Sequence, residues 1–324
     1  MNKGGTSSVD STRRWLFQTA ILALLVALAT PARAAAASDR LRVVTTLHDL
    51  ADITRRIGGD RVDVTSLTKG RENLHHVVAR PSHLVALSRA DMLVQIGLSL
   101  EMGFLPGLLE NANNAKIRPG MPGFVNVSVG WDPLNVPTVV SRKDGDIHPD
   151  GNPHVNLDPR GGRHMAARIL AGLIAVDPAS KSAYEARAAE YGQELDRAEA
   201  RWDAAAKSWS GRKIVVYHME YDYLARRYAL EIVGTVESKP GIPPTPGHVA
   251  RLVEKMRAAG TVVVLTAPWS NSGEVERIAE ATSAQVVELP NQCGGIAGTD
   301  SWIAMLDLVH DRLARAFGTA APKR

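Results

Sequence analysis

The stretch LRVVTTLHDLADITRRIGGDRVDVTSL, Leu41 to Leu67, decides the architecture. LRVVTT is an apolar, β-branched run that reads as a buried strand, closed by His48 and Asp49. LADITRRIG then puts its apolar residues on one helical face and stops at Gly58-Gly59. VDVTSL is a second strand. A polar loop, TKGRENLHHVVARPS, leads to a helix, SHLVALSRA, and a third strand, DMLVQIG. Strands alternating with helices in this way predict a parallel sheet flanked by helices, an α/β fold.

The same alternation returns later in the chain. KIVVY, EIVGTVE, TVVVLTAP and QVVELP read as strands, separated by helices and closed by DSWIAMLDLVHDRLARAFG. Asn111 to Pro153 is rich in Gly, Pro and polar residues and reads as loops. Helical periodicity begins at Asp158-Pro159, an N-cap and first-turn pair, and pauses at a second such pair, Asp177-Pro178. It then runs to Trp209, some 30 residues or ~45 Å of helix. A helix of that length predicts a rigid spine between two lobes, each with its own parallel sheet. The expected organisation is an export signal over 1–37, an α/β lobe over 38–178, the linking helix over 179–209 and a second α/β lobe over 210–324. No repeat of solenoid period is present.

The N-terminus carries the export signal. Arg13 and Arg14 precede WLFQTAILALLVALAT, an apolar run short for a membrane span, and Ala32-Arg33-Ala34 suits a signal peptidase. Ser11 to Phe17 approaches a twin-arginine pattern. The competing reading is an uncleaved membrane anchor. No cysteine follows the run, so no lipid attachment point is expected. The formal charge of +4 is concentrated here: residues 1–34 carry a net +3, leaving +1 for the rest. With that balance, no later basic run and few aromatics, nucleic-acid binding is excluded. The sole cysteine, Cys293, excludes an internal disulfide. The mature protein is expected to be a soluble periplasmic monomer.

Ten histidines supply the candidate chemistry. His83, His164, His248 and His310 lie within predicted helices and read as packing or surface residues. His48 follows a strand without an evident partner, and His148 sits in an acidic loop, DGDIHPD. His75, His154 and His218 differ, because each lies on a connection between predicted elements. His75 and His218 follow strands, and His154 immediately precedes a helix start. In α/β sheets ligands bind at the carboxyl ends of strands. Three neutral imidazoles meeting there would suit zinc, copper or nickel. Taken singly, each histidine reads better as a structural residue than as a ligand.

Three motifs carry a resemblance. ENLHHVVARPS sets His75 six residues before Pro81; GNPHVNLDP surrounds His154; and YHMEYDYLARRYAL contains His218. Over residues 41–317 the chain resembles the zinc- and manganese-specific periplasmic solute-binding proteins of ABC transporters, the ZnuA-like group known as cluster A-I. The resemblance implies two α/β lobes joined by one long helix, and His75, His154 and His218 as metal ligands. It implies capture of Zn2+, preferred here over Mn2+ because His218 stands where manganese-type members have a carboxylate. The implied partner is an inner-membrane ABC permease, which takes up the delivered metal.

The chain departs from that pattern in three places. Asn73-Leu74 replaces the usual Asp-Pro, and His76 stands beside His75 as a competitor. The last loop, LPNQCGGIAGTD, offers no early acidic fourth ligand, so water, Asp300, Glu237 or Cys293 are the candidates, with Asp300 expected to cap the final helix. The His-rich loop of many zinc members is reduced to DGDIHPD. Two rival functions follow from the same residues: an exported zinc hydrolase, for which Glu220 is the best available base, and a metal-binding adhesion protein. Neither an HExxH helix nor a carboxylate at fixed short spacing supports the hydrolase, so no enzymatic activity is expected.

Overall fold

Adjacent residues on the central strands serve different cores, and this organises the molecule. A computed structural model describes residues 40–139 and 148–319. The export signal, its twin-arginine pattern and most of DGDIHPD lie outside the described residues.

The first sheet contains β1 (Leu41–Thr45), β2 (Val62–Ser66), β3 (Met92–Gln95) and β4 (Phe124–Asn126), all parallel, in the order β2-β1-β3-β4. The second contains β5 (Lys213–Val216), β6 (Glu231–Thr235), β7 (Val263–Thr266) and β8 (Gln285–Glu288), in the matching order β6-β5-β7-β8. The two halves therefore share one topology without sharing a sequence repeat.

Side chains alternate across a strand. Val43, Met92 and Val94 of the first sheet face the same core as Ile214, Val216, Val263 and Leu265 of the second. Val44 and Leu93 face outward onto a smaller cluster with Leu87 and Leu105. Val215 and Val264 do likewise with Leu252 and Val275. The inner core is continuous between the sheets. Tyr184, Leu195 and Trp202 of the long helix and Trp302, Leu306 and Val309 of the last helix complete it.

The helices are α1 (His48–Gly58), α2 (Pro81–Arg89), α3 (Leu105–Ala112), α4 (Gly161–Val176), α5 (Lys181–Ala206), α6 (Asp222–Arg227), α7 (Pro246–Ala259), α8 (Ser272–Thr282) and α9 (Trp302–Ala316). The long helix α5 has 26 residues, or ~39 Å, and is shorter at both ends than its periodicity suggests. It packs along α1, α4 and α9, so it is part of the core. Trp202 fixes it to α9 by donating Nε1–H to Asp307 at 2.8 Å.

Several local signals read differently in three dimensions. Asp158 does not cap α4. Its carboxylate is fully buried, accepts the Arg160 N–H at 2.8 Å and pairs with the Arg160 guanidinium, and α4 begins at Gly161. Asp300 does not cap α9; Ser301 does, accepting the Ala304 N–H, and Asp300 is exposed. Thr245 caps α7 as its sequence suggests, accepting from His248. The short strand β4 and the helix α3 are unmarked by periodicity, being three and eight residues long beside Gly and Pro.

Candidate metal centre

His75, His154 and His218 converge, although 79 and 64 residues separate them along the chain. One ring nitrogen from each lies within 4.8 Å of the others. The ring centroids stand 4.9 to 5.3 Å apart, with the planes steeply inclined to one another. His75 lies on the loop between β2 and α2. His154 lies on the loop between β4 and α4, and His218 comes two residues after β5. All three therefore sit beyond the carboxyl ends of parallel strands.

Local chemistry holds each loop. Gly151 has φ +100°, and a Cβ there would come within 2.8 Å of Pro133, so the approach to His154 requires glycine. Asn152 accepts the His154 N–H at 3.0 Å, donates to the Met219 carbonyl at 2.7 Å, and accepts the Tyr223 hydroxyl through its own carbonyl. One asparagine thus ties the His154 loop to the His218 loop. Its signal in the sequence is the Asx turn before Pro153.

The nitrogens divide into partnered and unpartnered. Both ring nitrogens of His154 are buried and lack a hydrogen-bond partner among the described residues, as does Nε2 of His75. Buried polar atoms are otherwise almost always satisfied. His218 Nδ1 lies 2.8 Å from Glu237 Oε2, and that carboxylate also accepts the Gly241 N–H. Glu237 is thus an outer partner that orients His218. It is not one of the converging residues.

Burial pulls the His154 and His75 pKa values well below the ordinary histidine value, and the neighbouring imidazoles add to the effect. Burial acts the same way on His218, but the hydrogen bond to Glu237 and the charge of Glu220 outweigh it and raise the pKa. Glu220 is buried and accepts from Trp269 Nε1 at 2.7 Å. Burial pushes its pKa up to about 7. The sequence alone directs Glu220 away from the site; the structure keeps it inside, near His218.

The remaining sequence candidates lie elsewhere. His76 is exposed. Cys293 is buried beside Asp49, which accepts its backbone N–H at 2.9 Å; burial and the Asp49 carboxylate push the thiol pKa far up. Cys293 and Asp300 are not members of the converging group. Beside the rings lies a cavity of about 230 Å³, lined by His148, His154, His218, Met219 and Pro240 among others. Sequence reasoning dismissed His148, yet its Nε2 stands 3.1 Å from His75 Nδ1.

Residues 43–316 match the family model of ZnuA, the periplasmic zinc-uptake complex component A. The metal ABC transporter substrate-binding lipoprotein FimA of Streptococcus parasanguinis is 29% identical over 248 residues, covering 73% of this chain and 77% of that one. The manganese ABC transporter substrate-binding lipoprotein PsaA of Streptococcus pneumoniae is 28% identical over 225 residues, covering 68% and 69%. Among solved structures, a ZnuA deletion mutant with zinc bound superposes with TM-score 0.73 at 25% identity, covering 88% of this chain and all of that one. Two parallel sheets with flanking helices, a histidine cluster at their strand ends and a family match over residues 43–316 agree. The chain belongs to the ZnuA family, and it is a metal ABC transporter substrate-binding protein rather than an enzyme.

Proposed function

We propose that this protein captures one Zn2+ ion with His75, His154 and His218 and carries it, as an exported periplasmic monomer, to an inner-membrane ABC permease. The observation that carries this reading is His154, whose two buried ring nitrogens lack any hydrogen-bond partner among the described residues. An unpartnered buried nitrogen costs roughly 1–3 kcal/mol, and among the described residues His154 is the one side chain with two such atoms, which supports a use for its lone pair. Three imidazoles without a carboxylate ligand favour zinc over manganese, because nitrogen suits zinc while manganese prefers oxygen. Glu237 supports His218 in the manner usual for zinc-binding histidines.

Elemental analysis after exposure to equal zinc and manganese tests the proposal. The expected result is one zinc per chain and little manganese, with the zinc lost in the His154→Ala, His218→Ala double variant. Manganese loading, or zinc that persists in the double variant, overturns it.

A further inference from the structure

We infer that His148 is a positioning residue for His75: it accepts the His75 Nδ1–H through its own Nε2 and so keeps the His75 Nε2 lone pair turned toward the ion. The inference rests on the metal-capture reading above. His148 Nε2 lies 3.1 Å from His75 Nδ1, and the two rings are 4.9 Å apart with planes inclined by 33°. A neutral imidazole offers one N–H and one lone pair. His75 Nε2 is buried without a hydrogen-bond partner. If Nε2 carried the proton, a buried donor would be left unsatisfied. With the proton on Nδ1, the contact with His148 becomes a hydrogen bond and Nε2 is free to ligate.

The same arrangement occurs across the site, where His218 Nδ1 meets Glu237 Oε2 at 2.8 Å. Both ligand rings are thus engaged through Nδ1. His148 itself is not among the three residues whose nitrogens converge. The two outer partners differ in kind: Glu237 brings a carboxylate oxygen to His218, whereas His148 brings a ring nitrogen to His75.

The test compares His148→Phe, which keeps a ring and removes the acceptor, with His148→Gln, whose side-chain oxygen can replace it. Zinc affinity is measured by chelator competition, and imidazoles are counted by X-ray absorption on the cobalt-loaded protein. The expected result is a ~10- to 100-fold loss for the Phe variant, recovery to within about threefold of wild type for the Gln variant, and three imidazoles in all three proteins. Unchanged affinity in the Phe variant overturns the inference, as does a Gln variant as weak as the Phe variant. Four imidazoles in the wild type falling to three would make His148 a ligand and also overturn it. The count on the unsubstituted protein decides even if a variant fails to fold. If that protein binds no zinc at all, the capture reading falls with it.

Discussion

His154 and His310 are both buried histidines whose surroundings keep them uncharged, and they sit in opposite environments. His310 is stacked between Trp202 and Trp209, at 5.2 and 5.7 Å. Its Nδ1 donates to the Leu306 carbonyl at 2.7 Å, and its Nε2 lies 2.9 Å from the Tyr228 hydroxyl. Burial holds its pKa down to about 4. Every polar atom of that ring is used by the fold. His154 has its backbone fixed by Asn152, while its ring nitrogens go unused by any described residue. Burial alone therefore does not distinguish the two. Single unmet ring nitrogens also occur on His83 and His164, but among the described residues His154 is the one histidine with both ring nitrogens buried and unmet, which supports its proposed role as a ligand.

The sharpest way to break this contrast is substitution at His154. His154→Ala should weaken zinc binding by more than the ~100-fold known for outer partners, while the metal-free melting temperature stays at or above that of wild type. A large loss of metal-free stability would make His154 a structural residue after all. At the other pole, His310→Ala should destabilise the protein by about 3 kcal/mol, since it opens a cavity and strands the Leu306 and Tyr228 partners. Its zinc Kd should be unchanged, and urea unfolding with chelator competition checks both quantities.

His310 also predicts an acid limit. An unfolded histidine titrates near 6.5 and the folded one near 4, so between these values the unfolded chain holds the extra proton. Stability is lost as pH falls through that window, by up to about 3 kcal/mol from this group. His310→Gln should flatten that part of the pH profile.

The metal site responds to acid in another way. His75 and His154 have lowered pKa values and stay neutral well into the acid range, whereas His218 has a raised one. His218 is then the group whose proton competes with the metal. Zinc affinity should begin to fall above pH 6.5 and drop roughly tenfold per unit below the His218 pKa. A steeper dependence, of two or three protons per metal, would show that the other rings also need deprotonation. The smallest effect belongs to Glu237→Gln, which keeps a hydrogen-bond acceptor for His218 and removes the charge. A loss of ~10-fold is expected, and a loss well beyond ~100-fold by competition titration would move Glu237 into the ligand set.

Much of the fold was legible because its strands are apolar, β-branched runs cut by helices. Val43, Val94, Ile214 and Leu265 announce the inner core in this way. What escaped was short or tertiary. Three residues of β4 cannot establish a period. Asp158 carries the local mark of an N-cap, but Arg160 and burial claim its carboxylate. The three converging histidines were legible through motif and loop position, while their partners were not. Glu237 was visible as a candidate fourth ligand, and nothing local indicates that it instead faces His218, 19 positions earlier. His148 was passed over because an acidic, Gly- and Pro-containing neighbourhood reads as solvated loop, and its approach to His75 across 73 residues is a property of the fold.

The continuous core between the two sheets has a consequence for how cargo leaves. Trp202 and Trp302 pack against each other within it, with ring centroids 5.8 Å apart and both side chains fully buried. Trp302 also donates Nε1–H to the Asn156 carbonyl of the first half at 2.8 Å, so swinging the lobes apart far enough to wet its indole would expose ~200 Å² of largely apolar surface, at a cost of about 5 kcal/mol from this residue alone. A carrier built this way does not unload by yawning open. Under the proposed capture by His75, His154 and His218, displacing one of the connections that hold them would leave two nitrogens on an ion that needs more.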